Sequence, residues 1–150
     1  MKNVFNQHDV ADLINRINKL SPSSQPLWGK MSVDKMLGHC NVTYELVYDN
    51  IHPKPGKFKA FILKLLVKPI VVGNKPYAKN SQTSPEFLIK NSRNFETEKA
   101  RLIQYIKRTQ ELGEKAFEGK ESHSFGPLKA SEWNALFYKH LDHHLVQFGV

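Results

Sequence analysis

The chain has 150 residues, a formal net charge of +8 and one cysteine, Cys40. That length suits a single domain over 1–150, which buries roughly 70% of its unfolded surface and needs no staple to fold. One cysteine excludes an intramolecular disulfide and fits a reducing, cytoplasmic setting. The first ten residues lack the apolar core of a signal peptide. The greasiest stretch, 60–72, is broken by Lys64, Lys68 and Pro69, short of the ~20 apolar residues of a spanning helix. Positive charge attracts anions without identifying them. Because the lysines are scattered, with no dense run, the expectation is a solvated basic surface and an anionic small-molecule substrate, with no nucleic acid and no membrane as partner. The oligomeric state is open, a homodimer included.

Period-3.6 apolar runs are frequent and alternating runs nearly absent, so the fold class is all-α. The first helix spans 9–20, with Val10, Leu13, Ile14, Ile17 and Leu20 as its stripe. After a loop containing Pro26, Trp28 and Gly29, Ser32 caps a second helix that runs to Tyr48. Its stripe is Val33, Met36, Leu37, Cys40, Tyr44 and Val47. A turn at 53–56 leads into a third helix, 57–68, with Phe58, Phe61, Ile62 and Leu65 on one side and Pro69 stopping or kinking it. This segment has the look of a basic amphipathic helix. The simpler expectation is that its greasy face packs inward and its lysines reach out to water.

Residues 73–92 read as a polar loop with a short turn at 85–89. Asn94 caps a fourth helix with Glu96 and Glu98 at its start and Gly113 as its stop. Residues 114–130 read as a loop, and Ser131 caps a last helix that runs to Phe148. Five helical segments and no strand describe a helical bundle, four long helices plus one accessory segment.

The last helix carries the chemistry. Trp133, Leu136, Phe137, Leu141, Leu145 and Phe148 share one broad face, and His140 and His144 fall in its middle. Two histidines at i and i+4 aim their rings the same way and suit a divalent metal. Two core histidines satisfied by hydrogen bonds are the plain alternative. Asp142 falls on the opposite side and His143 at the border. A third ligand is needed, and His39, on the flank that carries Thr43 and Leu46, is the nearest candidate in another helix. Cys40 is better read as a small core residue, and His8, His52 and His123 as surface histidines. Gln147, one turn after His144, either orients a ligand or caps the helix end. Tyr44 and Glu45 are acid–base candidates only by their nearness to His39. Metal affinity should fall with pH through ~6.5, where free histidine titrates.

Three strings stand out together: Leu27-Trp28-Gly29-Lys30-Met31-Ser32, Met36-Leu37-Gly38-His39-Cys40, and the closing Lys139-His140-Leu141-Asp142-His143-His144-Leu145-Val146-Gln147-Phe148-Gly149. From Ile14 to its end the chain resembles the DinB/YfiT-like superfamily of metal-dependent enzymes, and within it a short branch ending in H-x-x-H-H-x-x-Q-F-G. The resemblance implies a four-helix bundle of up-down-down-up type with one metal site. The ligands it implies are an early-helix histidine and a late-helix H-x-x-x-H pair, which match His39, His140 and His144. The Arg-Gly that usually precedes the family's glutamine is Leu145-Val146 here, which weakens the transfer of any particular substrate. Characterised proteins of this type are thiol-dependent transferases or isomerases that use low-molecular-weight thiols. The expectation is therefore a metal-dependent enzyme using zinc, nickel or iron, a thiol S-transferase or a metal-assisted hydrolase. The competing expectations are a non-enzymatic binding bundle and a basic peripheral protein.

Overall fold

The computed structural model describes residues 1–81 and 83–150; the loop expectation at Gln82 lies outside them. The chain folds mostly into helices. Helix α1, Gln7–Asn18, starts two residues earlier than the apolar stripe suggests, because the Asn6 side chain accepts hydrogen bonds from the backbone N–H groups of His8 and Asp9. Val10, Leu13 and Ile17 are its buried stripe. Helix α2, Val33–Tyr48, has the expected bounds.

Residues 57–72 depart from expectation. Helix α3, Lys57–Ile62, passes through a π-helical turn, Leu63–Val67, into α4, Lys68–Val72. Pro69 does not stop the helical segment, which continues to Val72. The π turn resets the hydrogen-bond ladder, and Pro69 falls in the first turn of α4, where its missing N–H costs nothing. The burial is also the reverse of the packing expected. Phe58, Phe61 and Leu65 are 80%, 62% and 59% exposed, whereas Leu63 and Val67 turn inward. Beyond this segment a 3-10 turn at Pro85–Phe87 replaces the longer turn expected.

Helix α5, Phe95–Leu112, is capped by Asn94, whose Oδ1 accepts from the Thr97 N–H, and it stops at Gly113 with φ +72°. The expected loop at 114–130 instead holds a 3-10 turn, Glu114–Ala116, and a hairpin of β1, Lys120–Ser122, and β2, Gly126–Leu128. Lys120 faces Leu128 and Ser122 faces Gly126. Strands of three residues are too short for alternation to register, and Gly126 at φ +74° closes the tight loop. Helix α6, Ala130–Gln147, is entered from Lys129 rather than capped by Ser131; the Lys129 N–H donates to Glu132 Oε2.

Helices α1 and α2 each pack on both α5 and α6. The core between them includes Leu13, Met36, Leu37, Leu102, Ile106 and Leu141, with Tyr44 stacked on Phe137 and Phe137 on Trp133. Cys40 belongs to this core, 1% exposed, and burial pushes its thiol pKa up. Among the described residues no helix is long and apolar enough to cross a membrane.

Candidate metal centre

Two flanks of α2 do different work. Asn41 and Glu45, four residues apart, face α5. Asn41 Nδ2 donates to Glu98, and Arg101 joins Glu98 to Glu45 at 3.0 and 2.5 Å. Glu45 also meets His52 at 2.8 Å. This buried network fixes the rotation of α2, so that His39 and Thr43, on the other flank, face α6. Helix α6 brings His140 and His144 to the same place, one turn apart.

The result is one cluster. His39, His140 and His144 each offer a ring nitrogen, and these atoms lie within 4.8 Å of one another. His39 Nε2 is 2.8 Å from His140 Nε2. The opposite nitrogen of every ring is held from outside. His39 Nδ1–H donates to the Phe87 carbonyl at 3.0 Å, because a carbonyl only accepts. Gln147 Nε2 donates to the Trp28 carbonyl, which fixes the amide's orientation; its Oε1 therefore accepts from His144 Nδ1–H at 2.8 Å. His140 Nδ1 meets the Thr43 hydroxyl at 2.9 Å.

These contacts assign the protons. His39 Nε2 is bare, so His140 Nε2–H must donate to it, and His140 Nδ1 accepts from Thr43 O–H. A hydroxyl donates or accepts equally well. Thr43 can therefore accept a hydrogen bond from His140 Nδ1–H instead, which leaves all three Nε2 atoms bare. Burial pushes the pKa of each of the three histidines down, His140 well below its usual value and His144 to about 3, with the neighbouring imidazoles adding to the effect. Three neutral imidazoles with their Nδ1 atoms engaged and their Nε2 atoms converging are a donor set that fits a divalent ion.

The cluster borders a cavity of about 1390 Å3. Its far wall comes from the 57–72 segment through Leu63, Val67 and Ile70, and Phe125, Trp133 and Leu136 complete an apolar lining. Lys30 and Lys75 also line it. His143 stands at this wall, half-buried and edge-on to Trp28 and Tyr77, and lies outside the cluster of three.

The other candidates fall elsewhere. Asp142 points away and pairs with Arg16 at 2.7 Å. Tyr44 is buried in the aromatic stack, and burial raises its pKa. Glu45 is buried and faces α5 in the ion-pair network. Neither Tyr44 nor Glu45 lines the cavity. His8 is exposed, but His123 lines the cavity and His52 is tied to Glu45.

Sequence reasoning missed Thr43 as a partner of His140, although its i+4 spacing from His39 is a usable signal. It also missed Tyr77, whose ring packs against His140 and His143. Comparison with protein-family models, curated proteins and solved structures finds no match to this chain.

Proposed function

We propose that His39, His140 and His144 hold one divalent metal ion, and that the chain is a metal-dependent enzyme of the DinB/YfiT-like type, a four-helix bundle with an accessory segment. The observation that carries this is the pairing of each convergent imidazole with an outer hydrogen-bond partner: Phe87 carbonyl, Thr43 hydroxyl, Gln147 amide. Such partners fix ring orientation and tautomer at metal sites. Zinc, nickel and iron all suit imidazole ligands.

When bound to three neutral histidines, such an ion would supply a Lewis acid with an open position that lowers the pKa of a thiol or water. The chain's own contribution is to hold the three rings neutral by burial, to orient them, and to exclude bulk water with an apolar wall. Lys30 and Lys75 favour an anionic substrate at the cavity. We read the activity as S-transfer to an anionic low-molecular-weight thiol, with hydrolysis as the variant. One observation favours the alternative of a non-enzymatic binding bundle: neither Tyr44 nor Glu45, the side chains considered as acid or base, faces the cavity.

The test is cobalt(II) loading of untagged protein followed by titration with glutathione. A thiolate-to-cobalt charge-transfer band that saturates is expected. Alanine at His39, His140 or His144 should abolish it, whereas His143→Ala should keep it. If no thiol, azide or carboxylate perturbs the cobalt spectrum, the enzyme reading fails in favour of a closed or inaccessible site. Loss of cobalt in His143→Ala with retention in His144→Ala would overturn the ligand set.

A further inference from the structure

The lysines of this chain are spread along its length, but its net charge is not. Between Asp49 and Glu86 there is no acidic residue, while Lys54, Lys57, Lys59, Lys64, Lys68, Lys75 and Lys79 all fall there. Those seven lysines account for nearly the whole formal excess of +8. Two are neutralised, Lys59 by Glu86 and Lys68 by Glu132. Lys54, Lys57 and Lys64 are exposed and have no carboxylate partner among the described residues.

The same stretch holds most of the exposed apolar surface. Phe58, Phe61, Ile62, Leu65 and Leu66 recur at helical spacing on the outer side of the 57–72 segment. The opposite side, with Leu63 and Val67, packs over the cavity. The segment is therefore greasy on two sides, and Lys57 and Lys64 fall on the border between them. One apolar side is covered by the protein; the other, with two phenylalanines at its centre, is bare. A contiguous apolar strip flanked by unpaired lysines matches an interfacial helix, whose apolar face enters the acyl boundary while its cations meet anionic headgroups.

We propose that the 57–72 segment docks this protein on the surface of an anionic lipid bilayer. The charge pattern argues against a second copy of the chain as the occupant. A two-fold pair would place the same acid-free, lysine-rich strip against itself, and like charges would repel. Phe58 and Phe61 enter the headgroup boundary, and the exposed lysines hold the anionic lipid. The sequence expectation of no membrane partner drew on the scattered lysines and on a greasy face packed inward, whereas Phe58, Phe61 and Leu65 of that face are exposed. The inference stands apart from the metal proposal, since none of the outer-side residues from Phe58 to Leu66 lines the histidine cavity.

The experiment is flotation of the full-length protein with vesicles of phosphatidylcholine mixed with phosphatidylglycerol, against vesicles of phosphatidylcholine alone, at low and physiological salt. Binding to the anionic vesicles is expected, and it should weaken as salt rises. The triple substitution Phe58→Ser, Phe61→Ser, Leu65→Ser should weaken binding by roughly tenfold or more. The pair Lys57→Glu, Lys64→Glu should weaken it by a similar factor while leaving the apolar strip intact. Both sets lie on exposed positions, and circular dichroism checks that the helices remain. Failure to float with anionic vesicles overturns the proposal, as does equal flotation of the triple variant. A dimer in sedimentation that the triple substitution dissolves, with no flotation, would assign the face to a second copy instead.

Discussion

Gly29 shows how much of the centre depends on one backbone position. Its φ is +81°, and a Cβ there would stand 2.9 Å from Gln147 Nε2. Gly29→Ala strains the loop and pushes away the amide that orients His144. The expected cost is on the order of 1–2 kcal/mol in a urea melt, together with weaker metal binding; an unchanged melt would mean that the loop does not position Gln147. Thr43 makes a sharper test of proton assignment. Thr43→Val keeps the shape but removes the group that serves His140 Nδ1 in either tautomer. Metal affinity should fall roughly 10–100-fold, Thr43→Ser should restore it, and competition with a chromogenic chelator measures both. The two late histidines were legible in the sequence because i, i+4 spacing on an apolar stripe says which way they point. His39 was legible only as a flank position. The carbonyls of Phe87 and Trp28 left no trace, since a backbone acceptor has no side chain by which a sequence could announce it.

At the scale of elements, the helices with a clear apolar stripe were the readable ones, α2 included although it is buried on every side from Met36 to Glu45. Helices α1, α2, α5 and α6 each carry an apolar stripe, and a polar cap or glycine stop marks several of their ends. The 57–72 segment misled because it is apolar on two sides, and periodicity does not say which side meets protein. The hairpin was too short to read. What holds the segment is uneven along its length. Its C-terminal end is tied by buried Lys139, whose ammonium donates to the Ile70 and Gly73 carbonyls, and by the Lys68–Glu132 pair at 2.9 Å. Its N-terminal end has the half-exposed Lys59–Glu86 pair, a type of contact worth little. Amide hydrogen exchange should therefore be faster over 57–62 than over 68–72. Lys139→Met removes the ammonium and keeps the stem, so it should raise exchange at 68–72 toward that of 57–62. An unaltered exchange profile would show that packing alone anchors the segment.

For the molecule as a whole, the histidine cluster sets an acid limit. His144 has a folded pKa of about 3 against ~6.5 for the unfolded chain. A lowered folded pKa means that the unfolded chain takes up the proton first. Metal-free stability is then intact above ~6.5 and is lost as pH falls from there toward the folded pKa, at about 1.4 kcal/mol per pH unit for each such histidine. Urea midpoints of the metal-free protein should decline over that window, and His144→Gln should give a shallower decline. A flat profile would contradict the burial of these rings. The same lowering moves the pH at which protons displace a bound metal below the ~6.5 expected from free histidine, because the folded rings stay neutral there. The acid-free stretch has an effect that operates before any contact. Its charge is concentrated beside the cavity, so the molecule is an electric dipole with its positive pole at that end. Within a Debye length, about 8 Å at physiological ionic strength, an anionic surface turns that pole toward itself, and a small anion is steered to the same pole. A small anion bound for the cavity and an anionic surface bound for the 57–72 segment would therefore approach the same end of the protein, and each is expected to slow the arrival of the other.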